Sequence, residues 1–87
     1  MSDDLDMRRR RALWRASHRG TKELDLLVGR FAGSKLPGMR DGELAEFEEF
    51  LKVQDPELQE WLLGSATAAP RGFGALIAAI RRFHGLS

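Results

Sequence analysis

Cysteine is absent from the chain, which removes a disulfide scaffold, a thiolate metal site and a cysteine nucleophile together. Histidine is nearly as scarce. His18 and His84 are the two present, far apart and without metal-ligand spacing to a carboxylate cluster, so a zinc enzyme is not expected. No apolar run approaches the roughly 20 residues that a bilayer-spanning helix needs. The start, Met1-Ser2-Asp3-Asp4-Leu5-Asp6, is acidic before it turns basic, and no hydrophobic stretch follows the arginines. It resembles neither a secretory signal nor an acid-poor organelle presequence, and a cytoplasmic, bacterial-type protein is the simplest expectation. No alternating strand pattern of any length is found, nor any glycine-rich strand-to-helix phosphate loop. Ser17, Ser34 and Ser65 have no triad context, and His18 has no specified nucleophile or carboxylate beside it. The inventory assembles no active site.

What remains is ordinary soluble-domain material: 87 residues, 43% hydrophobic and 31% charged, enough for one domain with a modest core. Helical periodicity dominates. A first helix is expected over residues 6–17, ended by Gly20, with residues 1–7 flexible. Thr21 is placed to cap a second helix, with Glu23 and Asp25 in its first turn and Leu24, Leu27, Val28 and Phe31 forming its stripe. The glycines and proline of residues 33–38 predict a loop. A third helix is expected over residues 41–53, with Leu44, Phe47, Phe50 and Leu51 inward and Glu43, Glu46, Glu48 and Glu49 mostly outward. Asp55-Pro56-Glu57 reads as an N-cap followed by proline at the first helical position. The fourth helix that follows carries Leu58, Trp61 and Leu62. Residues 65–70 form a small-residue linker, and a last helix over about 72–83 sets Phe73, Leu76, Ile77, Ile80 and Phe83 on one face. Such short stripes must bury against one another. The fold class is therefore all-α: a compact single-domain bundle of about five short helices spanning residues 1–87.

Net charge is +1 but polarised. Residues 1–22 carry seven basic and three acidic groups, residues 23–60 four basic and ten acidic, and residues 61–87 three arginines. Charge separation of this kind orients encounter with a complementary partner. The run Arg8-Arg9-Arg10-Arg11, reinforced by Arg15, Arg19 and Lys22, allows a nucleic-acid reading. The acidic middle and the missing recognition-helix pattern oppose it, and four consecutive arginines point all round a helix. At the first junction, Gly20 permits close backbone approach, Arg19 offers a planar fork of donors and Glu23 offers acceptors. Plain helix punctuation accounts for the same residues. Trp61 is expected in the core, whereas Trp14, flanked by arginines, is expected at a surface or boundary position as a contact residue beside His18. His84 is expected to interact with a helix dipole.

Residues 11–25, from Arg11-Ala12-Leu13-Trp14-Arg15 to Arg19-Gly20-Thr21-Lys22-Glu23-Leu24-Asp25, resemble the signature region of the SdhE (YgfY-type) family of succinate dehydrogenase flavinylation factors. The family's R-G-x-x-E, followed by an apolar residue and Asp, is met by Arg19, Gly20, Glu23, Leu24 and Asp25. Asp55-Pro56-Glu57-Leu58-Gln59-Glu60-Trp61-Leu62 is similar to its D-P-x-L-x-x-W-L segment. The resemblance covers residues 11–63, in the right order and at the right separation. It implies a five-helix bundle that binds the flavoprotein subunit of succinate dehydrogenase, and in some bacteria that of fumarate reductase. The client links FAD covalently to one of its own histidines, and the factor holds it in a competent conformation without being the catalyst. Partner-binding residues implied are Arg19, Gly20 and Glu23, with Arg11, Trp14, Arg15, His18 and Asp25 around them. No catalytic residue, metal, nucleic acid or membrane insertion is implied. FAD belongs to the client, no cofactor to this chain, and the free factor is expected to be a monomer. The alternative reading is a small basic nucleic-acid-binding or regulatory helical protein using residues 8–11.

Overall fold

Burial of five amphipathic stripes fixes the architecture, seen in a computed structural model that describes residues 2–64 and 72–86. Helix α1 spans Ser2–Ser17, α2 Lys22–Lys35, α3 Asp41–Phe50, α4 Asp55–Leu63 and α5 Gly74–Phe83, with a 3-10 turn, Leu36–Gly38, between α2 and α3. The described residues contain no strand. The all-α expectation is therefore met. The linker expected at residues 65–70 lies outside the described residues.

Helix α1 lies along α2 and touches α3, while α4 and α5 pack on each other and on α2. The α1–α2 contact is close because its residues are small: Ala12 and Ala16 are buried on α1, Gly29 and Ala32 on α2. A Cβ on Gly29 would sit 3.1 Å from the Ser17 Cα, so glycine there lets the end of α1 come down onto α2. Leu24, Val28, Phe31, Leu44, Phe47, Phe50, Leu58, Leu62 and Ile80 form the centre of one shared core, and Trp61 is buried with them. Among the described residues, no helix is long and apolar enough to cross a membrane.

Several boundaries differ from the sequence expectation for physical reasons. Helix α1 begins at Ser2, not at residue 6; Asp4 and Asp6 fall in its first turns, where the helix dipole favours them. Helix α2 runs through the expected loop to Lys35, because Leu36 is buried and its N–H closes onto the Ala32 carbonyl. Helix α3 stops at Phe50, and the chain tightens through Lys52 N–H to the Glu49 carbonyl and Val53 N–H to the Phe50 carbonyl. Helix α5 starts at Gly74 instead of about residue 72, where Gly72 takes φ +79°. Leu27 is only half-buried and Phe83 is exposed, so their stripes are narrower than periodicity implies.

Candidate functional site

The turn between α1 and α2 is built from the inside. Gly20 sits at φ +118°, a left-handed conformation that L side chains rarely adopt. Thr21 caps α2, its hydroxyl accepting from the Leu24 N–H at 3.2 Å. The Asp25 carboxylate, one turn into α2, reaches back and accepts from the N–H groups of Arg19 and Gly20, which holds the turn closed. Asp25 is thus a brace of the corner more than a contact surface.

Arg19 corrects one expectation. Its guanidinium does not project outward with its fork open; the side chain is 8% exposed. Nε donates to the Asp55 carboxylate at 2.9 Å, one terminal nitrogen donates to the Leu51 carbonyl at 2.8 Å, and the other to the Val53 carbonyl. Those carbonyls lie just past the end of α3, where a helix leaves acceptors open and its dipole favours a cation. Asp55 is consequently not the N-cap of α4. Gln54 occupies that position, and Asp55 is the first helical residue with its carboxylate turned to Arg19. The two sequence blocks separately picked out by resemblance therefore meet in space, through an ion pair joining residues 36 apart.

Outside this brace, Gly20, Lys22 and Glu23 are exposed. On the last turns of α1, Trp14 is 62% exposed and stacks on His18 with ring centroids 4.3 Å apart and planes 14° from parallel. His18 Nδ1 donates to the Trp14 carbonyl at 2.8 Å, which fixes that tautomer, since a carbonyl can only accept. Arg11 and Arg15 are exposed on the same helix. Trp14 and His18 thus stack on the last turns of α1, with Arg11 and Arg15 exposed on the same helix; Gly20 lies in the turn and Glu23 in the first turn of α2, and Arg19 and Asp25 brace the turn from behind.

The arginine run divides. Arg8 is paired with Asp41 and with Glu48, the latter at 2.8 Å, and ties α1 to α3. The Arg8 guanidinium holds the Glu48 carboxyl below the usual glutamate range, chiefly by hydrogen bonding; in turn Glu48, then Asp41, raise Arg8. Arg9 donates to the Met39 carbonyl and to Asp6. Arg8 is therefore an interhelical clamp and Arg9 ties α1 to the segment that precedes α3, which weakens the nucleic-acid reading. Arg10 and Arg11 stay exposed. His84 does not merely face a dipole: its Nε2 donates to the Leu27 carbonyl at 2.7 Å and pins the end of α5 to α2. Among the described residues, no cluster of three or more His, Asp or Glu could hold a metal ion. Sequence reasoning missed Arg81, which donates to the Leu62 carbonyl at the end of α4, and Gly29; the small residues Ala12, Ala16, Gly29 and Ala32 were its available signal.

Residues 10–84 match the family described as flavinator of succinate dehydrogenase. The chain is 47% identical over 62 residues to FAD assembly factor SdhE of Acetobacter pasteurianus, covering 71% of this chain and 57% of that protein. It is 34% identical over 69 residues to mitochondrial succinate dehydrogenase assembly factor 2 of Komagataella phaffii, covering 79% of this chain and 36% of that protein. With FAD assembly factor SdhE of Xylella fastidiosa it shares 37% identity over 68 residues, 78% of this chain and 69% of the other. The chain thus spans between about a third and two thirds of these relatives' length. No solved structure gives a significant match. With the match running from α1 through α5, this chain belongs to the family of succinate dehydrogenase flavinators.

Proposed function

We propose that this chain is an assembly factor that binds the flavoprotein subunit of succinate dehydrogenase and promotes covalent attachment of FAD to that subunit. The supporting observation is a corner braced from within and bare outside. Arg19, Asp25 and Asp55 fix it, while Gly20, Glu23 and the Trp14–His18 stack remain open to a partner. A stacked aromatic on a helix is an anchor with little rotamer freedom left to lose. Gly20 lets a partner backbone approach, Glu23 accepts from partner donors, and Arg11 and Arg15 meet partner carboxylates. The covalent bond forms inside the client, on its own histidine, and the factor contributes by binding the unlinked, FAD-loaded client better than the finished one. Only such differential affinity shifts a conformational equilibrium, and it also gives release after maturation. In this reading the factor is not an enzyme, holds no cofactor and works in the cytoplasm as a monomer. The flavoprotein of fumarate reductase is a further client.

Glu23→Ala provides the test. Glu23 is exposed in the first turn of α2, and losing its dipole interaction costs only about 0.3–1 kcal/mol. Covalent flavin in the client, read by in-gel fluorescence, should fall towards the level without the factor, while circular dichroism of the variant stays unchanged. Normal flavinylation by the folded variant overturns the proposal. Gly20→Arg is a poorer probe, because any side chain there is strained at φ +118° and starts 3.3 Å from Asp55 Oδ2.

A further inference from the structure

The seam between α1 and α2, on the side carrying Arg10, Leu13 and Ser17, holds two shallow hollows of about 320 and 600 Å³ that share no lining residue; the helical spacing of their residues sets them one after the other along the seam as an interrupted trough. From Asp6 to Ser17 it runs about 16 Å, or three helical turns. Its floor is apolar and low: Leu13 and Leu26 are 39% and 50% exposed, and Gly33 on α2 leaves open space where a Cβ would stand. Its rim is mixed with a basic surplus. Arg10, Lys22 and Arg30 are exposed, and none takes part in an ion pair among the described residues, whereas the two acids of the lining are engaged, Asp6 by Arg9 and Asp25 by the N–H groups of Arg19 and Gly20.

We infer that this trough docks an amphipathic helix of the flavoprotein subunit whose apolar stripe is flanked by carboxylates. The identity of the partner rests on the function proposed above; the chemistry of the occupant rests on the trough. An apolar seam between two antiparallel helices accepts a third helix, whose side chains at i, i+3, i+4 and i+7 meet the floor. No aromatic lines it, which removes the feature that proline-rich segments require. Three unpaired cations along the rim select carboxylates on the incoming helix. A second copy of this chain is disfavoured, because a two-fold contact sets the same patch against itself and brings Arg10 and Arg30 towards their like. The trough opens beside Lys22, two residues from Gly20, so the helix would extend the contact that begins at the corner.

Photocrosslinking with the full chain and the unlinked flavoprotein subunit tests this. A benzoylphenylalanine replaces Leu26 in one sample and Trp14 in another, with circular dichroism as a folding control. Position 26 should crosslink to the subunit, in a helical segment rich in Asp and Glu. The double variant Lys22→Glu/Arg30→Glu should weaken binding of the subunit about tenfold at low salt, and less at high salt. Crosslinking from position 14 but none from position 26 overturns the inference and leaves the corner intact. Crosslinking from position 26 alone upholds the inference and overturns docking at the corner; silence from both overturns both. A crosslink to a second copy, a basic or non-helical target, or binding of duplex DNA that the double variant abolishes also overturns it.

Discussion

At the scale of single residues, Arg19 acts through the groups behind it. A guanidinium matches two carbonyls and a carboxylate at once because its donors lie in a rigid plane, a geometry an ammonium does not reproduce. Arg19→Ala should cost on the order of 1.5–3 kcal/mol, the range for hydrogen bonds to a charged group and for buried acceptors left open. Arg19→Lys should recover less than half of that loss, as read from urea midpoints of both variants. Equal stability of all three proteins would show that the brace contributes nothing. Parts of this site were legible in the sequence. Glycine, threonine and acid in order announce a turn and a cap, and Trp14 among arginines was correctly expected outside while Trp61 in a stripe was expected inside. The partner of Arg19 was not legible. Nothing in local spacing links position 19 to position 55, and cap rules assigned Asp55 to the start of its own helix, where tertiary pairing overrode them.

At the scale of elements, the α1–α2 contact depends on the missing side chain at Gly29. Gly29→Val would drive branched carbons into the Ser17 backbone, which cannot swing aside as a flexible side-chain end would. Overpacking of this kind costs about 1–3 kcal/mol, and here it should also shift the last turn of α1 with its Trp14–His18 stack. Thermal denaturation and near-ultraviolet circular dichroism would register both effects; an unchanged melting temperature would contradict the packing described. The tie between α1 and α3 has a defined pH response. Because Arg8 holds the folded Glu48 carboxyl below its ordinary value, the pair's stabilisation is full above the unfolded glutamate range, about pH 4.3. It is lost as pH falls through the depressed folded value. Glu48→Gln should therefore lower the urea midpoint at neutral pH, and the gap to the unmodified chain should close in acid. A gap independent of pH would mean that the two side chains do not interact as described. The helices themselves were readable from apolar spacing, but their ends were not: α2 outran a glycine- and proline-rich stretch because Leu36 is buried, and α3 stopped early where Arg19 takes the trailing carbonyls.

At the scale of the whole molecule, charge is sorted. Exposed cations gather on α1 and the start of α2, including Arg10, Arg11, Arg15 and Lys22, while Asp41, Glu43, Glu46 and Glu49 are exposed along α3. Such a molecule is oriented before contact, so association with the proposed client should slow markedly as salt rises, with dissociation changing far less. Stopped-flow measurement at low and high ionic strength would separate the two rates; a salt-dependent dissociation rate with constant association would contradict the expectation.

The bond between Arg19 and Asp55 has a consequence for genetics. A lesion at Asp55 takes away a partly buried partner of Arg19 and loosens the corner from within, so, on the proposed function, a screen for flavin-deficient strains would recover it alongside docking mutants. Exchanging the two partners, Arg19→Asp with Asp55→Arg, would not restore the wild phenotype either. The relocated guanidinium would begin on the wrong helix to reach both carbonyls, and failed reciprocal suppression would be the signature of a three-way tie rather than a simple pair.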